Sequence, residues 1–229
     1  MIRKTLMAKD LAIILNNGSI NSAVITALAV QKYRPILIHC DFAPTGSGSM
    51  PRARVAYDQQ VGHFKPYREH TLAMPFLAPF ASTPGAGIAH VADPRQVTPV
   101  GPAMVDLLPL VAAAVRFAVH YQASAVFLGA CVGPNSEELA QAAEYVQVWN
   151  DMIQVPCAQP ELTLETPLLE LEAWQVVDVG FQAAAPFDRT WSCVEESGEP
   201  CWACRGCRAR DAAFQQAAKI DPLRVVKKV

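Results

Sequence analysis

Four cysteines near the carboxyl terminus have the spacing of a metal site. The stretch TWSCVEESGEPCWACRGC (190–207) follows the pattern C-x7-C-x2-C-x2-C, with thiols at Cys193, Cys201, Cys204 and Cys207. Two-residue spacers place thiolates on tight turns, and four sulfurs at about 2.3 Å fill the coordination sphere of one tetrahedral Zn²⁺. Because no position is left for water, the spacing predicts a structural zinc. An iron–sulfur cluster is the alternative, since four thiolates suit it too.

The residues around this cluster, and the cysteines outside it, give weaker signals. Three arginines, Arg205, Arg208 and Arg210, are expected to offset the net negative charge of a four-thiolate zinc site. Cys40, Cys131 and Cys157 have no ligand spacing and are expected to be buried apolar residues. Disulfides are disfavoured in a cytosolic chain.

A second candidate site is the short polar stretch NNGSINS (16–22). It follows the apolar run LAIIL (11–15) and precedes a helix-like segment, the order with which several nucleotide-binding folds begin. Such loops hold phosphate by directing backbone N–H groups and a helix amino terminus toward it. This loop has no lysine, acid or glycine pair. The sequence therefore leaves two readings open, a retained anion site or a loop that only connects strand and helix.

Strand-like and helix-like segments alternate along the chain and must position both sites. We predict strands at 11–15, 35–40, 67–74 and 124–130, and helices at 21–33, 52–64, 103–121 and 136–152. The first and fourth strands are nearly all apolar, as expected for strands covered by helices on both faces. The alternation predicts an α/β fold with a doubly wound parallel sheet, in which ligands bind beyond the carboxyl ends of the strands. Residues 75–101 show no periodicity and are expected to form a loop or lid.

Length and composition restrict the organisation and the partners of the chain. Its 229 residues suit one nucleotide-binding-type domain (1–160) and a carboxyl-terminal helical segment with the cysteine cluster (161–229), packed as one unit. Only 17% of the residues are charged and 52% are hydrophobic, so part of the surface is expected to be covered, most simply in a homodimer. A net charge of −2 gives no reason to expect a nucleic-acid partner.

Two apolar stretches bear on membrane association. The run LAIIL (11–15) is shorter than the hydrophobic region of a signal peptide, which has about 7–15 residues. The longer stretch at 103–119 contains Asp106, Pro109 and Arg116, whereas a membrane span needs about 20 predominantly apolar residues. We therefore expect a buried helix there, no membrane partner and a cytoplasmic protein.

The cysteine-rich tail resembles that of a known family. TWSC (190–193) together with PCWACRGCRARDAAF (200–214) is similar to the zinc-binding tail of the 7-cyano-7-deazaguanine synthases, members of the N-type ATP-pyrophosphatase (PP-loop) superfamily. The resemblance extends over most of the chain, through segments at 11–30, 122–130, 167–181 and 219–223. It implies a Rossmann-like ATP-pyrophosphatase domain, a structural zinc and commonly a homodimer.

The resemblance also implies a reaction, one that belongs to queuosine biosynthesis. In that family ATP adenylates 7-carboxy-7-deazaguanine, ammonia gives the amide, and a second adenylation drives loss of water to the nitrile. The implied small-molecule ligand is thus a nucleotide or a deazapurine, and ATP and Mg²⁺ join zinc as implied cofactors. No catalytic residue is identifiable.

The cleft loop departs from the family pattern S-G-G-x-D-S. The implied nucleotide-binding residues are Asn17, Gly18, Ser19, Asn21 and Ser22, of which three differ from the pattern. Ser19 in place of glycine is expected to narrow the allowed backbone angles. Asn21 in place of aspartate removes a charge suited to Mg²⁺, which prefers carboxylates.

Two further segments depart from the family. TPVGP (98–102) places Gly101 and Pro102 where the family has Arg and Asn, and CVGPNSEE (131–138) replaces a loop rich in Asp and Tyr. Two functions of different classes follow from these losses. One is an ATP-dependent ligase of the 7-cyano-7-deazaguanine synthase type, and the other is a catalytically silent homologue that binds a small ligand or a partner protein through the same cleft.

Overall fold

The computed structural model describes residues 10–42, 51–77, 100–195 and 198–225. Its five strands are β1 (Leu11–Leu15), β2 (Arg34–Asp41), β3 (Arg68–Ala73), β4 (Ala125–Phe127) and β5 (Thr163–Glu165). Its helices are α1 (Ile20–Lys32), α2 (Arg52–Phe64), α3 (Val100–Tyr121), α4 (Ser136–Gln154), α5 (Ala173–Gln182) and α6 (Arg205–Gln216). Short 3-10 turns lie at Pro75–Leu77, Phe187–Arg189 and Pro222–Arg224.

The five strands form one parallel sheet in the order β3-β2-β1-β4-β5. Ile13 of β1 lies beside Ile36 of β2 and Val126 of β4. The chain adds strands in one direction from β1 to β3 and then in the other direction through β4 and β5. The strand order therefore reverses between β1 and β4, and in open α/β sheets the ligand crevice lies at this switch point.

Both faces of the sheet are covered by helices. Alternate side chains of β1 point to opposite faces, so Ile13 packs with Leu107 of α3 and Ile153 of α4. Ile14 packs on the other face, with Val24 of α1 and Phe214 of α6. This arrangement confirms the predicted α/β fold with a doubly wound parallel sheet.

The elements through residue 154 lie close to their predicted positions, with two differences. β4 is shorter than the predicted 124–130, because it pairs with both β1 and β5 over only three residues. The helix predicted from residue 103 begins at Val100, and residues 78–99 of the expected loop lie outside the described residues. β5 was not predicted, and α5 and α6 lie in the range 161–229, which was predicted to be helical without bounds for its helices. Because β5 belongs to the range 161–229 and pairs with β4, both predicted ranges contribute strands to one sheet.

The long helix α3 is buried on one side only. Leu107, Val111 and Ala114 have no exposed surface, whereas Val105 and Leu108 are 61% and 44% exposed. By length and composition its segment Met104–Tyr121 is apolar enough to cross a membrane. Its packing against β1 and β4 is that of a helix on the face of a sheet, so the prediction of a buried helix holds for one of its faces.

Candidate ligand cleft and metal centre

The cleft loop joins the carboxyl end of β1 to α1. Gly18 has φ of +80°, and a Cβ atom there would lie 2.3 Å from the carbonyl oxygen of Ala53 in α2. Both the positive φ and this close approach require glycine. The chain therefore makes a tight turn at Gly18 that only glycine allows. The structure brings the predicted residues Asn17, Gly18, Ser19, Asn21 and Ser22 together at the head of α1, while nucleotide binding by them stays a prediction.

The backbone N–H groups of the cleft loop are bonded to the loop's own side chains. Four donors reach side-chain oxygens: Asn17 N to Ser22 Oγ (3.1 Å), Gly18 N to Asn16 Oδ1 (2.8 Å), Ser19 N to Asn17 Oδ1 (3.1 Å) and Ser22 N to Ser19 Oγ (3.4 Å). A phosphate cradle works because such donors point at the anion. Here those donors are already hydrogen-bonded to the side chains of Asn16, Asn17, Ser19 and Ser22.

Ser19 does not have the effect that the sequence suggested. Its φ of −81° and ψ of 173° are ordinary extended values, and it serves as the N-cap of α1. Serine is among the preferred residues at that position. Serine restricts the backbone angles more than glycine does, but the angles at residue 19 are ones that serine adopts without strain.

Asn21 forms a bridge across the switch point. Its Nδ2 donates a hydrogen bond to the carbonyl oxygen of Gly129, just beyond β4, at 2.9 Å. A Cβ atom on Gly129 would lie 3.2 Å from the Cβ of Asn21, so the two segments are in close contact. An ionised carboxylate is only an acceptor and cannot make this bond. We call this contact the Asn21–Gly129 bridge.

A buried network of hydrogen bonds joins Asn16, at the start of the cleft loop, to α2 and β2. The Nδ2 of Asn16 donates to Gln60 Oε1 at 2.9 Å, and Gln60 Nε2 donates to the carbonyl of Arg189 at 3.0 Å. The Nδ1 of His39 lies 3.0 Å from the carbonyl oxygen of Asn16, so Nδ1 carries the proton and donates. Burial lowers the pKa of His39, which favours this neutral form.

The sequence did not point to this network. Asn16 is the first residue of the polar stretch 16–22 but was not among the predicted nucleotide-binding residues, although polar residues at strand ends face the ligand edge. Gln60 has no exposed surface but is one of several polar residues of α2, and its spacing does not distinguish it from the others. Only the tertiary structure shows that it joins the loop to the segment before the first ligand cysteine.

A cavity of about 150 Å³ lies between the cleft loop, α5, α6 and the segment that leads to Cys193. Its polar lining includes Asn17, Ser19, Asn21 and Ser192, and its walls include Trp191 and Cys131. Burial raises the pKa of the Cys131 thiol to about 11, and the thiol donates to the carbonyl of Leu171 at 2.8 Å. This cysteine is therefore protonated at neutral pH and is a poor nucleophile.

Arg210 is the cation of the cavity wall, and its charge is already paired. Its Nε and Nη2 donate to the two carboxylate oxygens of Asp221 at 2.5 and 2.8 Å, and Nη1 donates to Thr190 Oγ1 at 2.6 Å. Both charged side chains are almost fully buried. The expectation that Arg210 offsets thiolate charge is thus wrong, because its guanidinium holds the carboxyl-terminal segment instead.

The four predicted ligand cysteines come together in space. All four sulfurs lie within 4.8 Å of one another. The Sγ of Cys193 lies 3.4 Å from that of Cys201 and 3.9 Å from that of Cys204. Ligands at 2.3 Å from one tetrahedral ion are separated by about 3.8 Å. The donor set therefore fits a single metal ion.

Backbone N–H groups surround the thiols of this cluster. Donors at 3.3–3.4 Å reach the sulfurs of Cys193, Cys201 and Cys204. Hydrogen bonds from the backbone of Ala203 and Cys204 are the main cause that lowers the pKa of Cys201 to about 7. Cys204 is also the N-cap of α6 and accepts from the N–H of Cys207. These donors favour the thiolate form that binds metal, whereas burial raises the pKa of the Cys193 and Cys207 thiols.

The remaining cysteines and the two divergent segments lie as follows. Cys40 and Cys131 are half-buried, but Cys157 is exposed, so its predicted burial is wrong. Gly101 and Pro102 lie in the first turn of α3, while Thr98 and Pro99 are outside the described residues. In the segment 131–138, Asn135 caps α4 by accepting from the N–H groups of Glu137 and Glu138.

Comparisons with known proteins bear on this combination of sheet, loop and cysteines. The family model described as queuosine biosynthesis protein QueC matches residues 103–218, half of the chain and all four cysteines. This chain belongs to the QueC family. The family predicted from the cysteine-rich tail is thereby confirmed. The matched residues begin after the cleft loop.

Individual QueC relatives match over nearly the whole chain. The 7-cyano-7-deazaguanine synthase of Acidobacterium capsulatum is 26% identical over 222 residues, which cover 94% of this chain and 96% of that protein. The synthase of Koribacter versatilis is 26% identical over 220 residues, covering 93% and 92% of the two chains. A solved structure, the U34-tRNA thiolase NcsA from Methanococcus maripaludis with its [4Fe-4S] cluster, is 11% identical with a TM-score of 0.44, covering 94% of this chain and 70% of that one.

Proposed function

We propose that this QueC-family protein binds a small neutral heterocycle of the deazapurine type in its cleft and does not carry out the ATP-dependent synthesis of a nitrile. The observation that carries this proposal is the Asn21–Gly129 bridge. The bridge spans the crevice between β1 and β4, where nucleotides bind in sheets of this class. It also occupies the position where the family pattern has an aspartate suited to Mg²⁺.

The lining of the cavity supports a neutral ligand. Among the described residues that line it, none is an acid, and its arginine is paired with Asp221. The side-chain amides of Asn17 and Asn21 and the hydroxyls of Ser19 and Ser192 offer polar groups without charge. Such groups recognise the edge of a heterocycle, and the neighbouring indole of Trp191 is suited to contact its face.

The size of the cavity supports a ligand smaller than ATP. Pockets for ordinary cofactors and drug-sized ligands have volumes of about 300–1,000 Å³. A volume of about 150 Å³ is that of an engineered protein cavity that binds benzene. A base-sized ring system is therefore a better fit than a nucleoside triphosphate.

A second candidate function, the ATP-dependent ligase reaction of the relatives, has one observation in its favour. A strand, a tight turn and a helix follow one another as they do in phosphate-binding loops, with Gly18 at φ of +80° and α1 beginning at Ile20. The amino end of that helix favours negative charge. The backbone thus supports anion binding even though the side chains oppose it.

Isothermal titration calorimetry separates the two functions. The protein is titrated with 7-cyano-7-deazaguanine, with 7-carboxy-7-deazaguanine and with Mg-ATP. We expect the neutral nitrile to bind and Mg-ATP to give no saturable heat. Saturable binding of Mg-ATP together with the carboxylate would favour the ligase and contradict our proposal.

We further propose that the cysteine cluster holds one structural zinc ion. Four thiolates leave no open coordination position, which suits a structural rather than a catalytic site. In a four-iron cluster each thiolate binds a different iron, and its sulfurs lie farther apart than those of ligands sharing one ion. The sulfur separations of 3.4 and 3.9 Å support the single ion.

We also propose that the protein is a homodimer that pairs through α3. The residues at 105, 108, 112, 115 and 119 are all apolar and recur every three or four positions, which places them on one side of the helix. Of these, Val105, Leu108 and Val119 are exposed. A second copy of the chain packed along this side would remove their apolar surface from water.

A further inference from the structure

The side chain of Asn17 makes two hydrogen bonds within the cleft loop. Its Oδ1 accepts from the backbone N–H of Ser19 at 3.1 Å and from the hydroxyl of Ser22 at 2.7 Å. Ser19 is the N-cap of α1, and Ser22 lies in the first turn of that helix. Both donors thus lie at the amino end of a helix, where N–H and hydroxyl groups contact phosphate in nucleotide-binding loops.

We propose that Asn17 is the specificity-determining residue of the cleft, because its carboxamide oxygen occupies the donors that an anionic ligand would need. This inference rests on the proposed function, in which the cleft takes a neutral heterocycle. A carbonyl oxygen satisfies the two donors without bringing a charge. An anion must displace it and break both hydrogen bonds, whereas a neutral ligand enters the cavity without competing for them.

The position of Asn17 in the cavity supports this role. Asn17, Ser19 and Asn21 all line the same cavity, so a ligand that enters it meets the Asn17 side chain. The neighbouring amide of Asn21 is held by the carbonyl of Gly129. Removal of the Asn17 side chain therefore frees the backbone N–H of Ser19 and the hydroxyl of Ser22.

Binding of inorganic pyrophosphate tests the role of Asn17. The variants are Asn17→Ala, Asn17→Ser and Asn17→Asp, and the probe is titrated by calorimetry into each folded protein. We expect Asn17→Ala and Asn17→Ser to bind pyrophosphate at least about tenfold more tightly than the parent. Asn17→Asp should bind it no more tightly, because its carboxylate keeps both donors and repels the anion.

Asn135 provides a matched control. Its Oδ1 also accepts from two backbone N–H groups at the start of a helix, those of Glu137 and Glu138, but it does not line the cavity. Asn135→Ala should leave pyrophosphate binding unchanged. A gain in Asn135→Ala equal to that in Asn17→Ala would show a general effect of cap removal and would overturn the proposal.

Circular dichroism shows which variants are folded, and Asn17→Ser is included because it removes the carboxamide oxygen but keeps a small polar side chain at this position. If folded Asn17→Ser and Asn17→Ala bind pyrophosphate no more tightly than Asn17→Asp, Asn17 does not determine the specificity. Binding of 7-cyano-7-deazaguanine to the parent is measured separately. A failure of the proposed function and a failure of this inference therefore give different results.

Discussion

The backbone N–H of Trp191 donates a hydrogen bond to the carbonyl oxygen of Gly18 across 2.9 Å. Trp191 lies two residues before Cys193, and Gly18 is the turn of the cleft loop. The segment that enters the metal centre is thereby joined directly to the loop that forms the cleft. A change in the metal centre should therefore weaken this hydrogen bond and alter the cleft loop.

Metal analysis should find about one zinc ion per chain, and Cys204→Ser should lose it. Serine can keep the N-cap of α6 but cannot supply a thiolate. Because a structural metal contributes folding free energy, we expect the melting temperature to fall by at least about 5 °C, where 1 kcal/mol corresponds to about 2–4 °C. Cys157→Ser, at an exposed cysteine outside the cluster, should change neither quantity. Freshly purified protein without any bound metal would contradict the account.

Loss of the metal should also speed hydrogen exchange at the Trp191 amide. This amide is bonded to Gly18, and we expect the bond to open more often when Cys193 is no longer held. The amide of Tyr67, bonded to the carbonyl of Pro35 at 2.8 Å near β3, is the control and should be unaffected. Equal exchange of the Trp191 amide with and without metal would show that the centre and the cleft are independent.

Asn21→Asp should destabilise the protein rather than restore a metal site. The substitution removes the donor of the Asn21–Gly129 bridge and brings a carboxylate toward a carbonyl oxygen. Leaving such a group unsatisfied costs about 1–3 kcal/mol, measured as the free energy of unfolding in urea. Asn135→Asp is the control, because Asn135 acts only as an acceptor and a carboxylate can replace it. Equal stability of parent and Asn21→Asp, with tight Mg²⁺ binding in the variant, would contradict this role.

The stability of the protein should fall as the pH is lowered below 6.5, in part through His39. Burial lowers the pKa of His39 from its ordinary value of 6.5. The unfolded chain therefore binds a proton there at a higher pH than the folded chain does, and stability is lost as the pH falls below 6.5. In His39→Asn the amide can still donate to the carbonyl of Asn16 but does not titrate. The difference in melting temperature between about pH 7.5 and about pH 5.5 should shrink in this variant.

His63→Asn is the comparison for that experiment. Burial also lowers the pKa of His63, but this side chain is more exposed than that of His39. Its substitution should change the pH dependence less. A pH dependence that is identical in parent and His39→Asn would show that His39 does not contribute.

The homodimer should dissociate when charge is placed on α3. The double variant Val105→Glu and Leu108→Glu puts two carboxylates on the exposed apolar side, where burial in an interface would be costly. Light scattering should give a dimer for the parent and a 24.8 kDa monomer for the variant. Ile220→Glu, at an apolar residue that is 76% exposed elsewhere, should remain a dimer. A monomeric parent at micromolar concentration would contradict the proposal.

Features that depend on local sequence were predictable, and features that depend on distant contacts were not. The strand at 11–15 and the cysteine spacing are local patterns, and the structure has both. β5 has only three residues, too few for periodicity to distinguish it from a loop. Asn21 looked like a lost metal ligand, because its partner Gly129 lies 108 residues away. Gln60 likewise gains its role only when α2 packs beside the turn at Arg189.

Release of AMP shows directly whether the cleft loop supports ATP chemistry. The protein is incubated with Mg-ATP, 7-carboxy-7-deazaguanine and ammonium, and AMP is quantified beside a protein-free blank. The Acidobacterium capsulatum relative, treated in the same way, is the positive control. We predict that the relative releases AMP and that this protein releases none above the blank. AMP formation by this protein at a rate comparable to that of the relative would show that its cleft loop does support ATP chemistry.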